Sequence, residues 1–392
     1  MIVDILEEHL EEAEILAGRR RDALGSDQID LAGLAKIEER LDAHLDGLAV
    51  AEGSWPGDAE ALAGNDSERA FAVAATLLRC GAGDRVLAVY DGTKPKAARG
   101  MIEALCFCPL SDGGRRVLET WLRGDAARKV VGAAQVLSFH RRLQAGDVED
   151  LARSSDAAVR AAAATAAGRC EVKVPWLAGL LEDQVAEVRE AAFLASIRHG
   201  DTAAISRLRS LCKGEATCTP RLLWLLAAVG EIGDLSILAA AASHASLAEA
   251  AVGALGTLGF PGVVLNLLEW MTQPKLARAA GAAFTRITAI VPPEMSEADE
   301  TTDSEEASFH DLRPIPDPTA ARAEWQRRTG GFDQGLRWRR GRPIQPGDWM
   351  REPHHGDLLT RREELMRVWS REPGLFPKLE LDAPAARQRT AA

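Results

Sequence analysis

Few residues in this chain have the types and spacings that do chemistry. Cys106-Phe107-Cys108 and Cys212-Lys-Gly-Glu-Ala-Thr-Cys218 each bring two thiols close in sequence. A structural zinc site needs four converging ligands, usually as paired Cys-x2–4-Cys steps or Cys/His clusters. Neither spacing recurs and no histidine stands near either pair, so both read as thiols in helix cores, and no metal or other cofactor is implied. His354-His355 is the only histidine pair. Neighbouring positions on a helix diverge by about 100 degrees, so the two would not share a ligand face, and a surface loop is expected. Gly253, Gly256 and Gly259 imitate a Gly-rich phosphate loop. No strand precedes them, so close helix packing is the stronger account. The chain contains no Gly-x-Ser-x-Gly, no His-Glu-x-x-His, no phosphate-binding loop and no dinucleotide fingerprint. It is therefore expected not to be an enzyme.

Binding is the alternative chemistry. Trp121, Trp176, Trp224 and Trp270 recur through the body, and Trp325, Trp338, Trp349 and Trp369 crowd the last part. Buried aromatic and arginine anchors carry much of the energy of protein interfaces. Trp224, Trp270, Trp338, Arg340 and Trp349 are the candidate partner-binding residues, set against the plainer reading of body tryptophans as core or ridge. The cluster Arg337, Arg339, Arg340 and Arg342 suits a phosphate, an acidic protein or the chain's own acidic segment. A self-contact of that kind would be salt-sensitive and autoinhibitory.

These groups must be held by some scaffold, and composition limits which. The 392 residues are 46% hydrophobic and 27% charged but only 5% aromatic, with Tyr90 the single tyrosine. Abundant alanine and leucine favour close-packed helices over sheets, which use β-branched and aromatic side chains. The net charge of -11 disfavours wholesale binding to nucleic acid unless basic residues are segregated. Six cysteines in a chain of this length read as reduced thiols in a cytosol rather than a disulfide framework. The start, Met-Ile-Val-Asp-Ile-Leu-Glu-Glu, does not read as a signal peptide, and no apolar run is long enough to span a membrane. A cytoplasmic location is expected.

The main signal is an internal repeat. Asp156-Ala-Ala-Val-Arg160 and Val185-Ala-Glu-Val-Arg189 both open runs of small residues at helical spacing. Val159, Ala163 and Ala166 are separated by 4 and 3, as are Val188, Ala192 and Ala195. That spacing lines three small apolar groups on one face, where a second helix can approach closely. Aligning Arg69, Arg99, Lys129, Arg160, Arg189, Arg221, Glu249 and Arg278 gives successive gaps of 30, 30, 31, 29, 32, 28 and 29. A period near 30 fits a hairpin of two helices of about a dozen residues each. Gly168, Gly200, Gly230 and Gly259 stand where helices should stop. No segment reads as a β-strand.

The expected organisation is an N-terminal helical cap over 1–52, a repeat array over 53–293, an acidic linker over 294–311 and a Trp/Arg-rich region over 312–392. Within the cap, apolar stripes at Ile2, Ile5, Leu6, Leu10, Ala13 and at Leu31, Leu34, Ile37, Leu41, Leu45 predict two helices. Gly18-Arg-Arg-Arg-Asp22 and Gly25-Ser26-Asp27 are expected to form the turn between them. A further helix is expected from about Asp357 to Ser370.

The string from Asp156 to Gly168 resembles the second helix of bacterial HEAT repeats. The resemblance implies an all-α, HEAT-like α-solenoid, an α-α superhelix, with Asp156, Arg160 and Arg189 as structural positions that cap and bridge adjacent units. Glu249 departs from that pattern, so the bridging ladder should be interrupted there. The whole chain, and its Arg337-Trp-Arg-Arg-Gly-Arg-Pro343 string in particular, resembles an uncharacterised bacterial family of HEAT-like proteins encoded in type VI secretion gene clusters. That resemblance implies effector delivery as a context. The expected function is a protein-protein interaction scaffold: an adaptor, chaperone or immunity-like partner of a secretion effector or apparatus component, binding through its concave helices. The alternatives are a HEAT-like nucleic-acid binder or DNA glycosylase-like enzyme, which needs a basic groove, and a metal enzyme or lyase on the same scaffold, which needs a ligand set.

Overall fold

A computed structural model describes residues 3–50, 64–170, 174–294, 315–345, 356–375 and 379–391. Trp349, His354, His355 and residues 295–311 of the acidic segment lie outside them.

The chain divides into two units, one of residues 1–201 with 349–392 and one of residues 202–348. The repeat positions fall on one class of helix in both. In the first unit, Arg69, Arg99, Lys129, Arg160 and Arg189 lie near the starts of helices Ser67–Arg79, Pro95–Phe107, Ala127–Phe139, Ala157–Ala167 and Ala186–Arg198. In the second, Arg221, Glu249 and Arg278 lie near the starts of Pro220–Val229, Ala248–Leu258 and Ala277–Thr288. Within each unit every such helix packs on the next. The fold is all-α and HEAT-like.

Small residues make this packing possible. Val159, Ala163 and Ala166 are buried, as are Val188, Ala192 and Ala195. A Cβ on Gly168 would lie 2.8 Å from the Cα of Ala195, and one on Gly256 would lie 2.8 Å from the Cα of Ala283. The same device thus sets helix approach in both units, and Gly256 belongs to a packing seam rather than to a phosphate loop. Gly259 closes its helix in the left-handed region, φ 77°, which costs glycine little and other residues more.

The first helices of the hairpins depart from the expected dozen residues. They run from Asp112–Leu122 and Thr202–Leu211 down to Leu177–Leu180. Ahead of Ala157–Ala167 the element reduces to two 3-10 turns, Ala145–Val148 and Leu151–Arg153. Gly146 and the acidic residues Asp147, Glu149 and Asp150 break up the 145–153 stretch, whereas the second helices are rich in alanine and leucine, the best helix formers.

At the N-terminus, helices Val3–Ala23 and Leu31–Ala49 pair with one another and pack on Ser67–Arg79. Asp30 caps the second by accepting from the Gly33 amide at 2.7 Å. The Gly18–Arg21 string continues the first helix instead of turning. Arg20 is buried against Glu38 at 2.8 Å, and Arg21 pairs with Glu103 at 2.8 Å, so the basic run is consumed by partners along the helix. The turn is confined to Leu24–Ile29.

One strand pair was not anticipated. β1, Arg337–Arg339, pairs antiparallel with β2, Arg342–Ile344. The connecting Arg340 and Gly341 both have positive φ, 47° and 73°, as a tight two-residue hairpin turn requires. The pair is too short to show alternation in sequence. No helix among the described residues is long and apolar enough to cross a membrane.

Candidate interaction site

The repeat positions first. Asp156 caps its helix by accepting from the amides of Ala158 and Val159 at 2.8 and 3.3 Å. Arg160 reaches across to the following hairpin and grips both carboxylate oxygens of Asp183, at 2.7 and 3.0 Å. It also donates to the carbonyls of Ser154 and Ser155. Arg189 repeats that local part, donating to the carbonyls of Asp183 and Gln184 at 2.8 and 2.9 Å. Val185 gives its helix no side-chain cap, and Asp183 serves instead by accepting from the Val185 amide at 2.9 Å. The Arg160 hydrogen bonds hold the Asp183 carboxyl below the usual range against the opposing effect of burial. Planar arginine suits this two-pronged contact better than lysine would.

At the other end of the second helices a different arrangement appears. The last carbonyls of a helix have no partner within it and carry the negative end of its dipole. In the first unit, histidines just past two of the second helices satisfy carbonyls at the end of the helix before. The His140 Nε2 donates to the Leu105 carbonyl at 2.8 Å, and the His199 Nε2 donates to the Ala167 carbonyl at 2.9 Å. Burial lowers the His140 pKa despite that bond, so the ring is held neutral.

Arg141, Arg169 and Arg198 stand at or just past the ends of the second helices in three consecutive hairpins. All three pair with Glu380, at 2.8, 3.3 and 2.7 Å. Glu380 is 8% exposed. Burial alone would raise its pKa, but the three guanidiniums, Arg198 foremost, bring it down to about 2. Around this cluster the C-terminal segment makes further contacts. Arg198 lies over the Trp369 ring at 4.3 Å, Arg387 donates to the Cys106 carbonyl at 3.3 Å, and the Ala385 amide donates to Glu38 at 2.7 Å. The expected helix near 357–370 spans Leu358–Arg371, capped by Asp357, and is buried along most of its length despite its many charges.

The second unit solves the same problem with arginine side chains and backbone amides of one hairpin. Arg337, 2% exposed, donates to the carbonyls of Leu258, Ala228, Ala227 and Thr257 at 2.6, 3.0, 2.6 and 3.0 Å. One guanidinium thus closes the ends of two adjacent helices. Beside it, Arg339 donates to the carbonyls of Gly256 and Thr257. The amides of Arg340 and Gly341 reach the carbonyls of Arg286 and Ile287 at the end of the third helix, at 2.6 and 3.0 Å.

Of the candidate partner residues, Trp338 and Arg340 share the β1–β2 hairpin. Trp338 is 8% exposed, packs against the Phe332 ring at a tilt, centroids 4.4 Å apart, and donates its indole N–H to the Asp333 carbonyl at 3.0 Å. Arg340 is exposed at the hairpin turn. Trp224 is half-buried on a second helix with Arg221 over its ring at 4.3 Å, and Trp270 is half-buried at the end of a first helix. Trp349 lies outside the described residues. Trp325 and Trp369 are buried.

Sequence reading passed over Glu380, Arg141, Arg169 and Arg198. A signal was present: the three arginines are separated by 28 and 29 residues, close to the repeat period. Among the described residues, no group of three or more His, Cys, Asp or Glu side chains is arranged to hold a metal ion.

Residues 148–218 match the family model for HEAT repeats. The chain is a HEAT-like repeat protein. The matched stretch contains Asp156, Arg160, Asp183 and Arg189, so the cap and bridge of this HEAT-like protein lie where its similarity is recognised. No curated protein and no solved structure matches the chain significantly.

Proposed function

We propose that this HEAT-like protein is a non-enzymatic scaffold that binds another protein, in the cytoplasm, as an adaptor, chaperone or immunity-like partner of a type VI secretion effector or apparatus component. HEAT repeats commonly serve protein-protein interaction, because stacked hairpins create an extended surface without any reactive group. The observation that carries the reading is the way the chain treats its own C-terminal segments. In each unit the helix ends hold a stretch of polypeptide through specific arginine, carboxylate and backbone contacts. The aligned row of residues at the opposite ends of the same helices is exposed or half-buried at all eight positions. Trp224 and Trp270 are the aromatic anchors proposed for the partner, with Arg340 at the turn of the tail hairpin. The secretion context rests on the resemblance of the whole chain to the family described above.

Affinity capture of the intact chain from its native lysate tests the reading. Recovery of a secretion effector or apparatus protein in a stoichiometric complex supports it. Capture of nucleic acid alone, or of no secretion component, overturns it.

A further inference from the structure

Helices Val3–Ala23 and Leu31–Ala49 close on a shared cluster of buried leucines, Leu6, Leu10 and Leu16 from the first and Leu41, Leu45 and Leu48 from the second. Beside that seam one histidine from each helix meets the other. His9 Nδ1 and His44 Nδ1 lie 3.0 Å apart, and both side chains are half-buried. Their ring centroids are 5.1 Å apart, with the planes crossing at 66°. Gly47 makes room for this approach: a Cβ there would come within 2.9 Å of the His9 Nε2 and 3.0 Å of its Cε1. Two Nδ1 atoms can share only one proton, so one ring donates and the other offers its lone pair. Arg40, one turn from His44, pairs with Glu12 at 3.6 Å, which offsets the nearest positive charge on that helix.

We propose that His9 and His44 form a two-histidine clamp for a borderline divalent transition-metal ion, copper(II) or nickel(II) ahead of zinc. Neutral imidazole is the commonest protein ligand for such ions. Its nitrogens bind at about 2.0–2.1 Å. Two of them at a right angle, as in tetragonal copper(II) or nickel(II), stand about 2.9 Å apart. The tetrahedral angle of zinc would spread them to about 3.4 Å. The observed 3.0 Å matches the right-angle geometry. On binding, the donating ring gives up its Nδ1 proton and takes one at Nε2, so both Nδ1 lone pairs go to the ion and no proton is released overall. Water fills the other positions, because among the described residues no third His, Cys, Asp or Glu is arranged to join the pair. The ion is therefore exchangeable, and while bound it pins the two helices together.

The test titrates copper(II) chloride into the full-length protein at neutral pH and follows the ion by electron paramagnetic resonance. The expected result is a saturable signal with two nitrogen donors. His9→Gln and His44→Gln should each lose that two-nitrogen signal, the glutamine amide keeping a polar contact so that circular dichroism stays unchanged. Gly47→Ala keeps both histidines and crowds only the His9 ring, so it should weaken binding even if either glutamine variant fails to fold. His354→Gln with His355→Gln should leave the signal in place, which separates the clamp from the histidine pair adjacent in sequence. Nickel(II) should compete better than zinc. No saturable copper binding, a two-nitrogen signal that survives both His9→Gln and His44→Gln, or one that disappears with His354 and His355 overturns the proposal.

Discussion

Arg198 and Glu380 are separated by 182 residues yet meet at 2.7 Å. Arg198 ends a repeat helix, and Glu380 belongs to the C-terminal segment. Glu380 draws on Arg141 and Arg169 at the same time, so one carboxylate joins three hairpins. Three guanidiniums packed at adjacent helix ends would repel one another without it. Helix dipoles partly offset that repulsion, but a terminal dipole contributes only about 0.3–1 kcal/mol, too little to hold buried cations together.

Glu380→Gln should therefore be severe. Removing one partner of a buried ion cluster costs about 3–5 kcal/mol, which urea unfolding would read as a lower midpoint. The same group sets an acid limb. A free glutamate titrates near about 4.3, and Glu380 is held down to about 2. Its contribution is complete above the unfolded value and is lost as pH falls through the folded one. Stability should decline between about pH 4 and pH 2, and Glu380→Gln should flatten that decline. Parallel acid profiles for the two proteins would refute the assignment.

Arg337 makes the corresponding prediction for the second unit. Arg337→Leu leaves four carbonyls without their donor, at a cost of about 3 kcal/mol from the desolvated acceptors. Arg337→Lys should recover only part of this, because an ammonium cannot fork between two helix ends. Hydrogen exchange should quicken at the ends of Pro220–Val229 and Ala248–Leu258 and not in the Val3–Ala23 helix.

Much of this fold was legible beforehand, and the reasons differ by element. The second helices announced themselves because alanine at Val159, Ala163 and Ala166 spacing serves both helix propensity and close packing. The first helices did not, because Leu177–Leu180 holds its place by burying Leu177 and Leu180 rather than by length. Gly18–Arg21 looked like a turn because its charges seemed to need water; Glu38 and Glu103, far along the chain, supply the partners. The tail arginines were visible as a cluster but not as donors to helix ends, since backbone carbonyls have no sequence signature. Glu380 was hidden for a different reason, its three arginine partners being scattered along the chain at the repeat period.

The Arg160 bridge is smaller and more exposed. A double-mutant cycle over Arg160→Ala and Asp183→Ala should give a coupling of about 1 kcal/mol, reduced by solvent screening. High salt should shrink it. A coupling indistinguishable from zero at low salt would show that the bridge does not join the two hairpins energetically.

Gly100 tests close packing directly. A Cβ there would come within 2.9 Å of the Ser67 carbonyl carbon and 3.0 Å of the Phe71 nitrogen, all in helix backbone that cannot rotate away. Gly100→Ala should cost about 1–3 kcal/mol, although alanine is the better helix former by about 1 kcal/mol. A more stable variant would mean that the helices Ser67–Arg79 and Pro95–Phe107 sit further apart.

Cross-linking mass spectrometry on the complex captured from native lysate tests the scaffold claim most directly. The account predicts partner links to the hairpin lysines Lys96, Lys129, Lys213 or Lys275, from a protein bound in fixed ratio. A chain that comes down with no protein in fixed ratio, or that releases a converted small molecule instead, would contradict it.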